Sequence, residues 1–169
     1  MKIAFLFISL ALIFKEGLIF KAGVKPEPQQ TFDKSGYYRV MASGDLAAID
    51  SALVVLTRTM PREKEAYEGA LLMKKAGLLH RPKEKLTVFR SGAVKLEAAL
   101  AKDSSNGEYH FLRLIIQEHA PAVVHYHNDE EKDSQLIYRI FKTLSPVVQK
   151  AILDYCPHSK RLHAKELNG

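Results

Sequence analysis

Leu86, Phe89, Ala93, Leu96 and Leu100 are separated by 3, 4, 3 and 4 residues. A helix of about 3.6 residues per turn brings such a series to one face, whereas a strand scatters it over both. The pattern recurs along the chain. Leu46, Ile49, Leu53 and Leu56 form a stripe in a helix that begins near Asp45, with Ser43 as its cap. Met60-Pro61 ends it and Pro61 opens the next, which carries Ala66, Tyr67, Ala70, Met73 and Gly77 on one side. The small residues Ala66, Gly69, Ala70, Ala76 and Gly77 let a neighbouring helix come close. Pro82 opens the helix of the 86–100 stripe. Asn106 caps a fourth with Tyr109, Leu112, Ile115 and Ile116. Asn128 and Glu131 have capping-box spacing before a fifth, which presents Leu136 or Ile137, Ile140, Phe141 and Leu144. Ser145-Pro146 starts a sixth through Val148, Ala151, Ile152 and Tyr155, stopped by Cys156-Pro157. No run of alternating residues bounded by hairpin turns interrupts the series. The expectation is an all-α domain of about six antiparallel amphipathic helices, joined by short turns into a bundle or stacked hairpins.

The chain opens Met1-Lys2 and then runs from Ile3 to Phe14 without a charge. One cation before twelve apolar or small residues is the layout of a secretory signal, and it is shorter than the roughly 20 residues a membrane span needs. The predicted division is a signal peptide over 1–22, an extended tether over 23–42 containing Pro26 and Pro28, a helical domain over 43–156, and a polar, loose C-terminal tail over 157–169. The protein is expected to be exported, periplasmic or secreted, with no transmembrane helix after signal removal.

Composition excludes classes more than it selects one. An apolar fraction of 47% and a charged fraction of 26% are globular values, and one Cys rules out a disulfide scaffold. The net charge is +6; without residues 1–22 it falls to +4, 22 basic against 18 acidic side chains. The cations are spread along the chain, so specific nucleic-acid binding is not expected. Nucleophile elbows, phosphate loops and dinucleotide fingerprints are absent, since Gly69, Gly77, Gly92 and Gly107 stand alone. No cofactor is implied.

Residues 96–108, LEAALAKDSSNGE, resemble the second helix and exit turn of a tetratricopeptide (TPR) repeat. Ala99-Leu100, Asp103 and Asn106 fit that pattern, and Ser104 stands where the family has Pro. Tyr67-Glu68-Gly69-Ala70 is similar to part of the first helix. The resemblance covers about one repeat and implies a helical scaffold that binds another protein without catalysis. A longer pattern is similar to small exported bacterial proteins of unassigned activity: Phe89, Gly92, Leu96-Glu97 and Ala99, then Asn106, Glu108-Tyr109, Phe111 to Leu114 and Gln117.

Two groups of residues have the chemistry of a site. Asn106, His110, Arg113 and Gln117 step by 4, 3 and 4, a polar stripe on the fourth helix with Glu108 in its first turn. Arg113 offers a planar donor fork to a carboxylate or phosphate of a partner; alternatively the stripe is a solvent face, or Arg113 is paired internally with an acid such as Glu97. His119, His125 and His127, with Asp129, Glu130, Glu131 and Asp133 behind them, are the densest set of metal-ligand types. His125 and His127 share a side if that segment is extended and diverge if it is helical. Otherwise these residues are a polar loop leading into a helix cap. Cys156, at a helix C-terminus, is expected to be an inert thiol or an intermolecular link. The reading that unites these features is an exported, non-enzymatic helical scaffold or protein-interaction domain. The alternative is a metal-binding protein or metal-dependent enzyme centred on His119–Asp133.

Overall fold

The computed structural model describes residues 32–59 and 61–167. Among them are eight α-helices and no strand: α1 (Lys34–Ala42), α2 (Leu46–Thr59), α3 (Lys64–Leu78), α4 (Pro82–Lys102), α5 (Gly107–Gln117), α6 (Glu130–Ile140), α7 (Pro146–Tyr155) and α8 (Ala164–Leu167). The fold is all-α. The proposed signal segment and residues 23–31 of the proposed tether lie outside the described residues.

Several helices start at a residue suited to it. Pro82 is at the start of α4 and Pro146 at the start of α7, where a missing N–H costs nothing. Asn106 Oδ1 accepts from the N–H groups of Glu108 (3.1 Å) and Tyr109 (3.3 Å) and so caps α5 as expected. Two other caps differ from expectation. At α2 it is Asp45, not Ser43, whose carboxylate takes the N–H groups of Ala47 (2.9 Å) and Ala48 (3.2 Å). α6 starts after Asp129 with no side-chain cap bond, so Asn128 forms no capping box.

α3 and α4 form an antiparallel hairpin whose main chains touch. A Cβ on Gly69 would stand 2.7 Å from the Leu96 nitrogen, and one on Gly92 would stand 2.6 Å from the Gly69 oxygen. The hairpin is closed outside by Lys95–Glu68 (3.3 Å) and by Lys102–Glu65. α5 and α6 are also antiparallel: Gly107 faces Ile140, His110 faces Asp133, and Arg113 reaches Asp129.

α5 is the hub. Its Tyr109, Leu112 and Ile116 enter a core with Tyr37, Met41, Ile49, Tyr67 and Leu96 of the preceding helices. Its Phe111 and Leu114 enter a second core with Ile137, Phe141, Val148, Ile152 and Leu162. A helix buried on nearly all sides must find internal partners for its polar groups as well.

Two outlying segments among the described residues are more ordered than expected. Residues 34–42 of the proposed tether form α1, capped by Asp33 and anchored by buried Tyr37 and Met41. The proposed tail over 157–169 contains a 3₁₀ turn and α8, with Leu162 and Leu167 buried in the second core. In both places a few apolar side chains do the anchoring, too few to show a helical period. No helix among the described residues is long and apolar enough to cross a membrane.

Candidate functional site

The polar stripe of α5 faces inward. Asn106 is used as the cap, and Glu108, His110, Arg113 and Gln117 are all buried. The three charged or ionisable members are partnered in two networks on opposite sides of the helix.

The first network is centred on Asp133 of α6, which has 0% exposed surface. Its Oδ1 accepts from Arg113 Nη2 at 2.7 Å and lies 2.6 Å from His110 Nδ1; its Oδ2 accepts from Arg113 Nε at 2.8 Å. The remaining Arg113 nitrogen, Nη1, reaches Glu97 of α4 (3.0 Å) and Asp129 (3.3 Å). Glu97 also accepts from Tyr126. Arg113 thus ties α4, α5 and α6 together with the planar fork that makes arginine suited to carboxylates. Burial opposes its charge, but Asp133, then Glu97 and Asp129, outweigh that and hold the guanidinium more firmly protonated than usual. Burial likewise works to raise the Asp133 carboxyl, yet bonds from Arg113 and His110 prevail and keep it below the ordinary aspartate range.

The second network is centred on Glu108. Its Oε1 accepts from the hydroxyls of Tyr38 (2.8 Å) and Tyr67 (2.9 Å), and its Oε2 pairs with Lys34 (2.8 Å). Burial, and next the charge of Glu108, push both tyrosines well above their ordinary value. They are therefore donors throughout the physiological range. Glu108 joins α1 and α3 to α5.

A third carboxylate holds the C-terminal segment. Glu118 accepts from the main-chain N–H groups of Lys160 (2.6 Å) and Arg161 (3.0 Å), from the Ser159 hydroxyl and from Tyr155 (2.7 Å). Gln117 Oε1, in a side chain only 1% exposed, has no hydrogen-bond partner among the described residues.

The four metal candidates are not brought together. His119 Nδ1 lies 3.0 Å from the Ile115 oxygen and 3.3 Å from the Tyr155 hydroxyl. His125 is exposed, in the left-handed region at φ 50°, and closes a 3₁₀ turn. His127 faces Glu130 (3.2 Å), and Asp129 is drawn to Arg113. The 122–127 segment is neither a continuous helix nor a strand, so neither geometry considered for His-x-His is realised. Among the described residues, no three His, Cys, Asp or Glu side chains are grouped to hold a metal ion.

Sequence reasoning identified Arg113 and its alternative partner Glu97 but missed Asp133 as the hub, Glu118 as the clasp and Tyr38 and Tyr67 as donors. A signal for burial was present: α5 contains His, Arg, Gln and Glu but no Lys, whereas α4 carries Lys83, Lys85, Lys95 and Lys102. Lysine dominates faces that meet water and is rarely fully buried.

The open surface lies elsewhere. A cleft of about 500 Å³ runs between α1 and α2, lined by Phe32, Val40, Ala48, Ala52 and Val55 together with the polar Asp33, Arg39, Ser43, Asp45 and Ser51. Val54 and Val55 on α2 are 50% and 38% exposed. Comparison with known proteins found no matching family model, no matching curated protein and no matching solved structure.

Proposed function

We propose that this chain is an exported, non-enzymatic helical scaffold that receives an apolar segment of a partner protein in the α1–α2 cleft. The observation that carries the reading is the cleft itself. Most of its open surface is apolar, and Val55 of α2 remains partly exposed in it. Its volume of about 500 Å³ lies within the roughly 300–1,000 Å³ of concave ligand sites. The polar stripe is not the binding face in this proposal, because His110, Arg113 and Glu108 are committed to internal carboxylates, hydroxyls and cations. The resemblance of residues 96–108 to a TPR turn, and the two antiparallel hairpins, support a scaffold role. The apolar run from Ile3 to Phe14 supports export.

Val55→Asp tests it. A photocrosslinker placed at Ala52 should trap one defined envelope protein, and the purified pair should associate. Val55→Asp should weaken that association at least tenfold with melting unchanged, because residue 55 is partly exposed already. Association that survives Val55→Asp, or crosslinks no different from those of a residue on the opposite face, would overturn the cleft. Recovery of the full-length chain with Met1 in the cytosol would overturn export.

A further inference from the structure

His110 is buried with both ring nitrogens aimed at oxygen. Nδ1 lies 2.6 Å from Asp133 Oδ1, and Nε2 lies 2.9 Å from the main-chain oxygen of Ser104, in the turn between α4 and α5. A carbonyl oxygen only accepts, so Nε2 must donate. An ionised carboxylate also only accepts, so Nδ1 must donate as well. Asp133 is ionised: two Arg113 nitrogens donate to its two oxygens at 2.7 and 2.8 Å, and Oδ1 is already shared between Arg113 and His110.

We propose that His110 is stored in the fold as an imidazolium, and that its second proton makes the junction of the α4–α5 turn with α6 a pH-sensitive clamp. The charges around the ring favour that proton. From α6 it faces Asp133, with Asp129 behind through Arg113. From α4 comes Glu97, also through Arg113, and the turn that supplies the Ser104 oxygen carries Asp103. Of the like charges, Arg113 on the same helix is itself bonded to Asp133, Glu97 and Asp129, and Arg62 acts on Asp103. If the ring loses a proton, one nitrogen presents a lone pair to an oxygen at bonding distance. Either the Asp133 contact or the Ser104 contact must then open. Both contacts are made only while the ring carries both protons, so the junction is complete in acid and loses one of its two bonds in base.

The test uses ¹⁵N-labelled histidine in the full chain, followed from about pH 5 to 9, a span that brackets free imidazole at about 6.5. Of the seven histidines, the one lost in His110→Gln should hold both ring nitrogens in the protonated shift range at neutral pH. Its loss of a proton at higher pH should coincide with a fall in melting temperature that His110→Gln lacks. If His110→Gln does not fold, single substitutions of the other six assign the signal by elimination. A neutral tautomer at neutral pH would overturn the proposal. So would an alkaline melting profile that does not follow the His110 resonances.

Discussion

Asp133→Asn removes one charge from a side chain that exposes no surface and receives bonds from two residues of α5. Breaking a buried ion pair by removing one partner costs about 3–5 kcal/mol, because the other charge is left uncompensated. Here Arg113 keeps Glu97 and Asp129 through Nη1, so the lower end, about 3 kcal/mol, is expected. The asparagine amide adds a difficulty of its own. Its NH₂ must face the donors of Arg113 or His110. In a chain of this size, about 3 kcal/mol lowers the melting temperature by roughly 6–12 °C. The pH dependence has a definite sign. Asp133 is held below its ordinary range in the folded state, so its contribution is present above the ordinary aspartate value of about 4. It is lost as pH falls through the depressed value. Urea titrations of wild type and Asp133→Asn should differ most near neutral pH and converge in acid. A difference below about 1 kcal/mol, the size of an exposed pair, or one that does not shrink on acidification, would refute the assignment of Asp133 as the buried hub.

Three further outcomes follow from the packing. Gly92→Ala should destabilise by about 1–3 kcal/mol through overpacking against the Gly69 oxygen and Met73, whereas Gly77→Ala, with nothing within 4 Å, should stabilise by about 0.4–1 kcal/mol; thermal melts of the two should move in opposite directions. Glu118→Gln should cost about 1.5–3 kcal/mol by weakening its bonds to Ser159, Lys160 and Arg161, and tryptic cleavage after Lys160 and Arg161 should accelerate. Unchanged cleavage would argue that Leu162 and Leu167 alone hold that segment. Cys156 is buried, and that burial, with Glu118 adding to it, raises its thiol, so a thiol reagent should modify it slowly in the native chain and quickly in urea.

The helices legible in the sequence are those whose burial has a period. α4 is visible in the 86–100 stripe and in Pro82, and α7 in Ser145-Pro146. α1 is not, because Lys34–Ala42 is short, contains Gly36 and buries only Tyr37 and Met41. α8 is hidden for the same reason, since Leu162 and Leu167 are isolated among polar neighbours. At the site, the stripe of α5 was visible but its orientation was not. Periodicity states which residues share a face, not what that face meets. The answer lay on α6, where Asp133 is one acid among four between residues 129 and 133. Only the antiparallel register of α5 and α6 singles it out as the one opposite both His110 and Arg113.

Repeat arrays grow and shrink easily, since each unit rests only on its neighbours. The way α5 is shared denies this chain that freedom. One helix supplies Tyr109 and Leu112 to one interior and Phe111 and Leu114 to the other. A cut on either side would expose one of those two faces. Duplicating a hairpin beside it would displace a neighbour it cannot do without. Helices added beyond α1 or α8, by contrast, would leave both of its interiors intact.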